Sequence, residues 1–148
     1  MTAMTERLST LEIGFALIQA GLSPFALDLD LFQIVREGEN YFVYTDRLPE
    51  LYIEKRIPLN YFEYRRQDWI LYFAMDRVNS RRSPVVVFNA GSSDTVTFRF
   101  YLDAASVNDL QEDLWPCFAQ IEQAIDAFGM ACEVAVRETV IEDDSALV

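Results

Sequence analysis

Histidine is absent from this 148-residue chain, and its absence limits the chemistry the remaining side chains could perform. The commonest general base near neutral pH, His-assisted serine or cysteine nucleophiles and most zinc sites all drop out. What remains is 24 carboxylates, two thiols and 12 Lys and Arg side chains. A carboxylate pair could do acid and base work if an apolar setting raised one pKa, yet no pair is singled out by such neighbours. Asp28 and Asp30 flank Leu29 with no Cys or further carboxylate motif beside them, so they read as a solvated loop or strand start instead of a metal pair. Gly91-Ser92-Ser93 precedes a strand pattern, not a helix, and lacks the Lys of a phosphate loop, so it reads as a turn. No catalytic residue, metal site or cofactor is assigned, and a non-enzymatic role is favoured. The rival is a small carboxylate- or metal-dependent enzyme or a small-ligand-binding protein, which would need a deep pocket with converging Asp or Glu.

Cys117 and Cys132 fall on one long helical pattern, about 22 Å apart at 1.5 Å per residue, so they cannot bond to each other. They read as small core hydrophobes, with a regulatory thiol as the other reading. The net charge of −12 argues against nucleic acid and against anionic membranes, since binding either means neutralising phosphate with surface cations. Residues 55–82 run against that balance with seven basic side chains and three acidic ones. Arg65, Arg66, Arg81 and Arg82 lie in this segment, and they are expected to pair with carboxylates of the same protein or of a second copy. No apolar run approaches the roughly 20 residues of a membrane span, and the start MTAMTERLST lacks a signal-peptide pattern, so a cytoplasmic protein is expected.

The length fits one domain, and half the residues are apolar, enough for a sizeable core. Leu8, Leu11, Phe15, Ile18 and Leu22 recur at spacings of three and four, predicting an amphipathic helix over about Thr5–Ala20 with Gly21 closing it. Phe25–Asp30 reads as a connector. Leu31–Arg36, Tyr41–Thr45 and Leu51–Ile57 are rich in β-branched and aromatic residues, with turns at Glu37-Gly38-Glu39-Asn40 and around Pro49, and they predict a three-stranded meander. A helix follows over about Tyr64–Ser80, with Ile70, Phe73, Ala74 and Val78 on one face. Pro84–Ala90 and Thr95–Leu102 then form a hairpin in which Val96, Phe98, Phe100 and Leu102 point to the core. The last helix carries Leu110, Leu114, Cys117, Phe118, Ile121, Ile125 and Phe128 on one face, with Cys132 and Val136 continuing it through Gly129. Pro116 predicts a kink or a fresh start near Asp113, and residues 138–148 read as an acidic, frayed tail after the 1–137 domain.

The order α-β-β-β-α-β-β-α resembles the YbjN-like family and the type III secretion chaperones that share its fold. The resemblance rests on the opening helix ending in Ala20-Gly21-Leu22, the REGENYFVYTD hairpin, the LYIEKRIPL strand and the AMDRVNSRRSPVVVF passage, and it covers roughly residues 5–130. Within that passage Val78-Asn79 looks like the family's apolar-Asn step. The resemblance implies an α+β fold in which the first and last helices pack on one face of a five-stranded antiparallel sheet and the central helix mediates dimerisation. It also implies a chaperone-like protein that holds a protein client. The residue pattern bears on the dimer independently. Trp69, Tyr72 and Phe73 widen the apolar surface of the central helix beyond one stripe, so it has two sides to bury. One side suits the protein's own sheet and the other a second copy, unless the rings simply cover the sheet within one subunit.

Overall fold

The computed structural model describes residues 8–45, 51–64, 67–80, 83–89, 94–103 and 105–146, with side chains up to residue 138. Among them are three α-helices, a short 3₁₀ turn and six strands in one antiparallel sheet: α1 (Thr10–Gln19), β1 (Phe25–Asp28), β2 (Leu31–Arg36), β3 (Glu39–Tyr44), β4 (Leu51–Pro58), the turn Leu59–Tyr61, α2 (Asp68–Ser80), β5 (Val85–Phe88), β6 (Thr95–Leu102) and α3 (Val107–Ala146). The strand order is β1-β2-β3-β4-β6-β5. The fold class is α+β, but the sheet has six strands instead of the expected five, because Phe25–Asp28 is a strand and not a connector. Four residues carry too little pattern to announce a strand. Pairing with β2 creates it, across a turn in which the Asp28 carboxylate accepts from the Leu29 N–H at 2.7 Å. The break at Asp46–Glu50 and the turn at Gly91–Ser93 lie outside the described residues.

Two compact units make up the chain, Met1–Lys55 with Arg99–Ile121, and Arg56–Phe98 with Glu122–Val148. In the first, α1 begins at Thr10, later than the predicted Thr5, because Ser9 is an N-cap. The Ser9 hydroxyl accepts from the Glu12 N–H at 3.2 Å while the Glu12 carboxylate accepts from the Ser9 N–H at 3.1 Å, a reciprocal capping box. Gly21 ends the helix at φ +85°. The Leu22 N–H reaches the Leu17 carbonyl and the Gly21 N–H the Ile18 carbonyl, completing a Schellman motif. The turn between β2 and β3 is the pair Glu37-Gly38, both at positive φ, as a two-residue hairpin of right-handed strands demands.

The face α1 buries is not the predicted one. Ile13, Gly14, Ala16 and Leu17 are buried, whereas Leu11, Phe15 and Ile18 of the expected stripe are 71%, 57% and 58% exposed. Gly14 explains the inversion. Its missing side chain lets the helix settle on the Phe32 ring of β2, where an added Cβ would come within 3.2 Å. On the same side of the sheet Phe118 of α3 meets Tyr41 of β3 edge-on at 4.9 Å, and Arg36 lies over the Phe118 ring at 4.4 Å.

In the second unit Phe62, Phe98 and Phe128 form a three-ring cluster, with centroids 4.6 to 6.2 Å apart. Helix α2 buries Ile70, Leu71, Ala74 and Val78, Leu71 taking the place expected for Phe73. Along α3 every residue of the predicted stripe is buried. The helix runs unbroken past Pro116, with neither end nor restart at Asp113, and its backbone stays helical to Ala146, well beyond Arg137 where a frayed tail was expected. Gly129 falls within the helix beside Phe62.

A candidate binding edge

Three side-chain groups stand out. The first is the predicted interface on α2. Trp69 and Tyr72 are 46% and 67% exposed and Phe73 is half-buried. Thus Trp69 and Tyr72 do not cover their own subunit's core. The Trp69 indole N–H donates to the Gln67 side-chain oxygen at 2.6 Å, and the Arg77 guanidinium lies 6.0 Å from the centre of the Phe73 ring. Arg65, Arg66, Arg81 and Arg82 lie outside the described residues.

The second group was not foreseen. On β4 and β6, Glu54 is 2% exposed and takes two hydrogen bonds from Arg99, at 3.1 and 2.9 Å. The Arg99 guanidinium carbon lies 3.8 Å from the centre of the Tyr52 ring, which in turn stacks on Tyr44 and meets Tyr101 edge-on. Burial works against the Arg99 charge, but hydrogen bonds to Tyr101 and Glu54 and the Glu54 charge outweigh it and hold the pKa above its ordinary value. This is a saturated charge pair, arranged to fix two strands in register.

The third group, also missed, is the edge strand β1 together with the exposed face of α1. β1 is the outermost strand on one side of the sheet and all four of its residues are exposed. α1 sits on β2 through Gly14, and α3 sits on β3 through Phe118. Gln111 of α3 reaches the Ala16 carbonyl and the Gln19 side chain, both at 3.4 Å, so α3 lies against one flank of α1. At 100° per residue Leu11, Phe15 and Ile18 lie roughly 120–180° from the centre of the buried face, on the outward side of the helix. One unit thus holds both an exposed edge strand and an exposed apolar face of α1.

The opposite edge of the sheet is capped at one residue. Val87 of β5 donates its N–H to the Asn79 side-chain oxygen at 2.9 Å, and its carbonyl accepts from the Asn79 amide at 2.8 Å. One carboxamide from α2 thus occupies the donor and acceptor that an added strand would need. The apolar-Asn step singled out in the sequence has this role at the strand edge, and a spacing of eight residues gave no sign of it.

Elsewhere a shallow cavity of about 710 Å³ is bordered by Pro58, Phe62 and Tyr64, with Glu63, Asp68 and Asp94 around it. Among the described residues no three metal-ligating side chains are grouped to hold an ion, and no helix is long and apolar enough to cross a membrane. No protein-family model, no curated protein and no solved structure matches this chain.

Proposed function

We propose that this is a non-catalytic, chaperone-like cytoplasmic protein that holds an extended segment of another protein as a strand added to β1. The observation that carries the reading is that one unit holds both an exposed edge strand and the uncovered Leu11, Phe15 and Ile18 of α1. Main-chain hydrogen bonds along an edge supply affinity for any extended peptide, and an apolar surface beside it receives alternate side chains. The Asn79 cap on the other edge supports the same site, because among the described residues no side chain is seen to cap β1 in the same way. The role matches what the resemblance to YbjN-like proteins and type III secretion chaperones implies. We place a homodimer contact on α2, whose exposed Trp69 and Tyr72 can meet their own copies across a two-fold axis.

Amide hydrogen exchange of the full chain with a permanently unfolded test protein checks the reading. Binding should slow exchange at Phe25–Asp28 and leave β5 unchanged. Binding with no added protection in β1, or no binding to any unfolded chain, overturns it.

A further inference from the structure

We infer, resting on the homodimer contact placed on α2, that a groove between α2 and the second half of α3 receives the exposed α2 rings of a second copy. Each copy then gives rings and takes them. Both walls of the groove lie in the second unit. On α2, Trp69, Phe73 and Arg77 follow one another at every fourth residue, so one side of the helix runs from the indole to the guanidinium. That guanidinium lies 6.0 Å from the centre of the Phe73 ring. Arg77 is also the α2 wall of a groove of about 260 Å³ whose α3 wall includes Asp126, Ala127, Met130, Ala131 and Val134. It thus joins the aromatic side of α2 to an apolar trough on α3.

Area, charge and symmetry select a second copy as the occupant. An aromatic side chain covers roughly 150–250 Å², so Trp69 and Tyr72, 46% and 67% exposed, together offer roughly 170–280 Å². A stable interface takes about 800 Å² per partner, and the two α2 rings alone fall well short of it. Met130 and Val134, 66% and 38% exposed, supply adjoining apolar surface, and the flexible thioether of Met130 moulds itself to an aromatic ring. The chain carries a net charge of −12, yet the groove holds both signs in Arg77 and Asp126. Among the described residues neither of the two is in an ion pair. A second copy matches each Arg77 with the other's Asp126, whereas a partner of one sign leaves one of them unmatched. A two-fold contact repeats one patch on both copies, and this patch holds the rings together with the groove that takes them.

The test follows the labelled methyl group of Met130 by NMR and the dimer dissociation constant by sedimentation equilibrium, both on the full chain. The Met130 methyl, identified by its absence from Met130→Leu, should lie upfield in the parent dimer, shielded by the face of a ring from the second copy. It should move downfield on dilution to monomer, and equally in the double variant Trp69→Ala, Tyr72→Ala. Met130→Glu brings a charge into the groove and should weaken the dimer at least about tenfold, with an unchanged circular dichroism spectrum as the check on folding. If that spectrum changes, the methyl position of the parent on dilution decides by itself. A Met130 methyl that stays in place between dimer and monomer overturns the groove, and so does a folded Met130→Glu chain that dimerises as tightly as the parent. Where Trp69→Ala, Tyr72→Ala still abolishes association, the α2 homodimer then stands without the groove. A parent that remains monomeric, or a dimer that survives the double variant, overturns the α2 homodimer and the groove with it.

Discussion

The Asn79 carboxamide imitates a neighbouring strand, giving and taking one hydrogen bond with the backbone of Val87. Asn79→Ala strands a donor and an acceptor on β5, which costs about 1–3 kcal/mol by the usual penalty for unsatisfied groups. Urea denaturation should show that loss, and concentration-dependent association should appear as a second strand edge opens. Asn79→Ala that melts like the parent would remove the cap from the account. The two thiols give a pH prediction. Both are fully buried, and burial pushes Cys117 from 9.0 to about 12 and Cys132 to about 11. The fold favours the neutral thiol, so this contribution is complete below about pH 9, the unfolded value, and is lost as pH rises through 11 to 12. The stability of the parent should therefore fall more steeply above pH 9 than that of a Cys117→Ala, Cys132→Ala chain, and a thiol reagent at pH 8 should modify neither cysteine before unfolding. Their burial was legible in the helical period, since nine α3 positions predicted as core are core. The Glu54–Arg99 pair was not legible, because the two residues are 45 positions apart and only strand order brings them together.

At the scale of elements, periodicity located α1, α2, α3 and five of the strands, and failed where packing overrode it. For α1 the stripe of large apolar residues was assigned to the core, yet the helix turns the flank with Gly14 and Ala16 inward. Large side chains signal that a face needs covering, without saying whether the cover is the chain's own sheet or a partner, and close approach to Phe32 favoured the small face. The two helical glycines predict opposite outcomes for this reason. At Gly129 an added Cβ would meet Phe62 at an ordinary 3.7 Å, so Gly129→Ala should raise stability by about 0.5–1 kcal/mol through helix propensity alone. At Gly14 the same methyl would stand 3.2 Å from the Phe32 ring, and Gly14→Ala should recover none of that gain. Parallel denaturant titrations compare them, and a stabilised Gly14→Ala chain would mean that α1 can lift from β2 without cost. Pro116 was read as a kink or a fresh helix start by the same propensity logic. One missing N–H in a helix that buries residues both before and after it was not enough to interrupt α3.

For the whole molecule, charge and symmetry decide what can approach. A net −12 repels phosphate, and of the 12 basic residues ten lie between Arg36 and Arg99. Titration with DNA or RNA at physiological salt should show no binding, and salt-sensitive binding would mean that Arg65, Arg66, Arg81 and Arg82 face solvent as a group instead of pairing with carboxylates. The same self-repulsion makes a homodimer demanding, so two copies need an apolar contact to hold them. α2 offers one, because its inner face of Ile70, Leu71, Ala74 and Val78 is buried while Trp69 and Tyr72 remain exposed on its outer side. A two-fold axis through that helix uses one patch twice, and aromatic anchors of this kind usually dominate interfaces of roughly 800 Å² per partner. Sedimentation should therefore give a dimer for the parent chain and a monomer for Trp69→Ala, Tyr72→Ala. Since both rings are solvated in the single chain, unfolding of that variant at low protein concentration should stay within about 0.5 kcal/mol of the dissociated parent. A dimer that survives the double substitution places the contact elsewhere, and a monomeric parent removes it. If instead the mass is unchanged and the melting temperature drops, the two rings belong to the core of one subunit, and the exposed outer face of α2 has been misread.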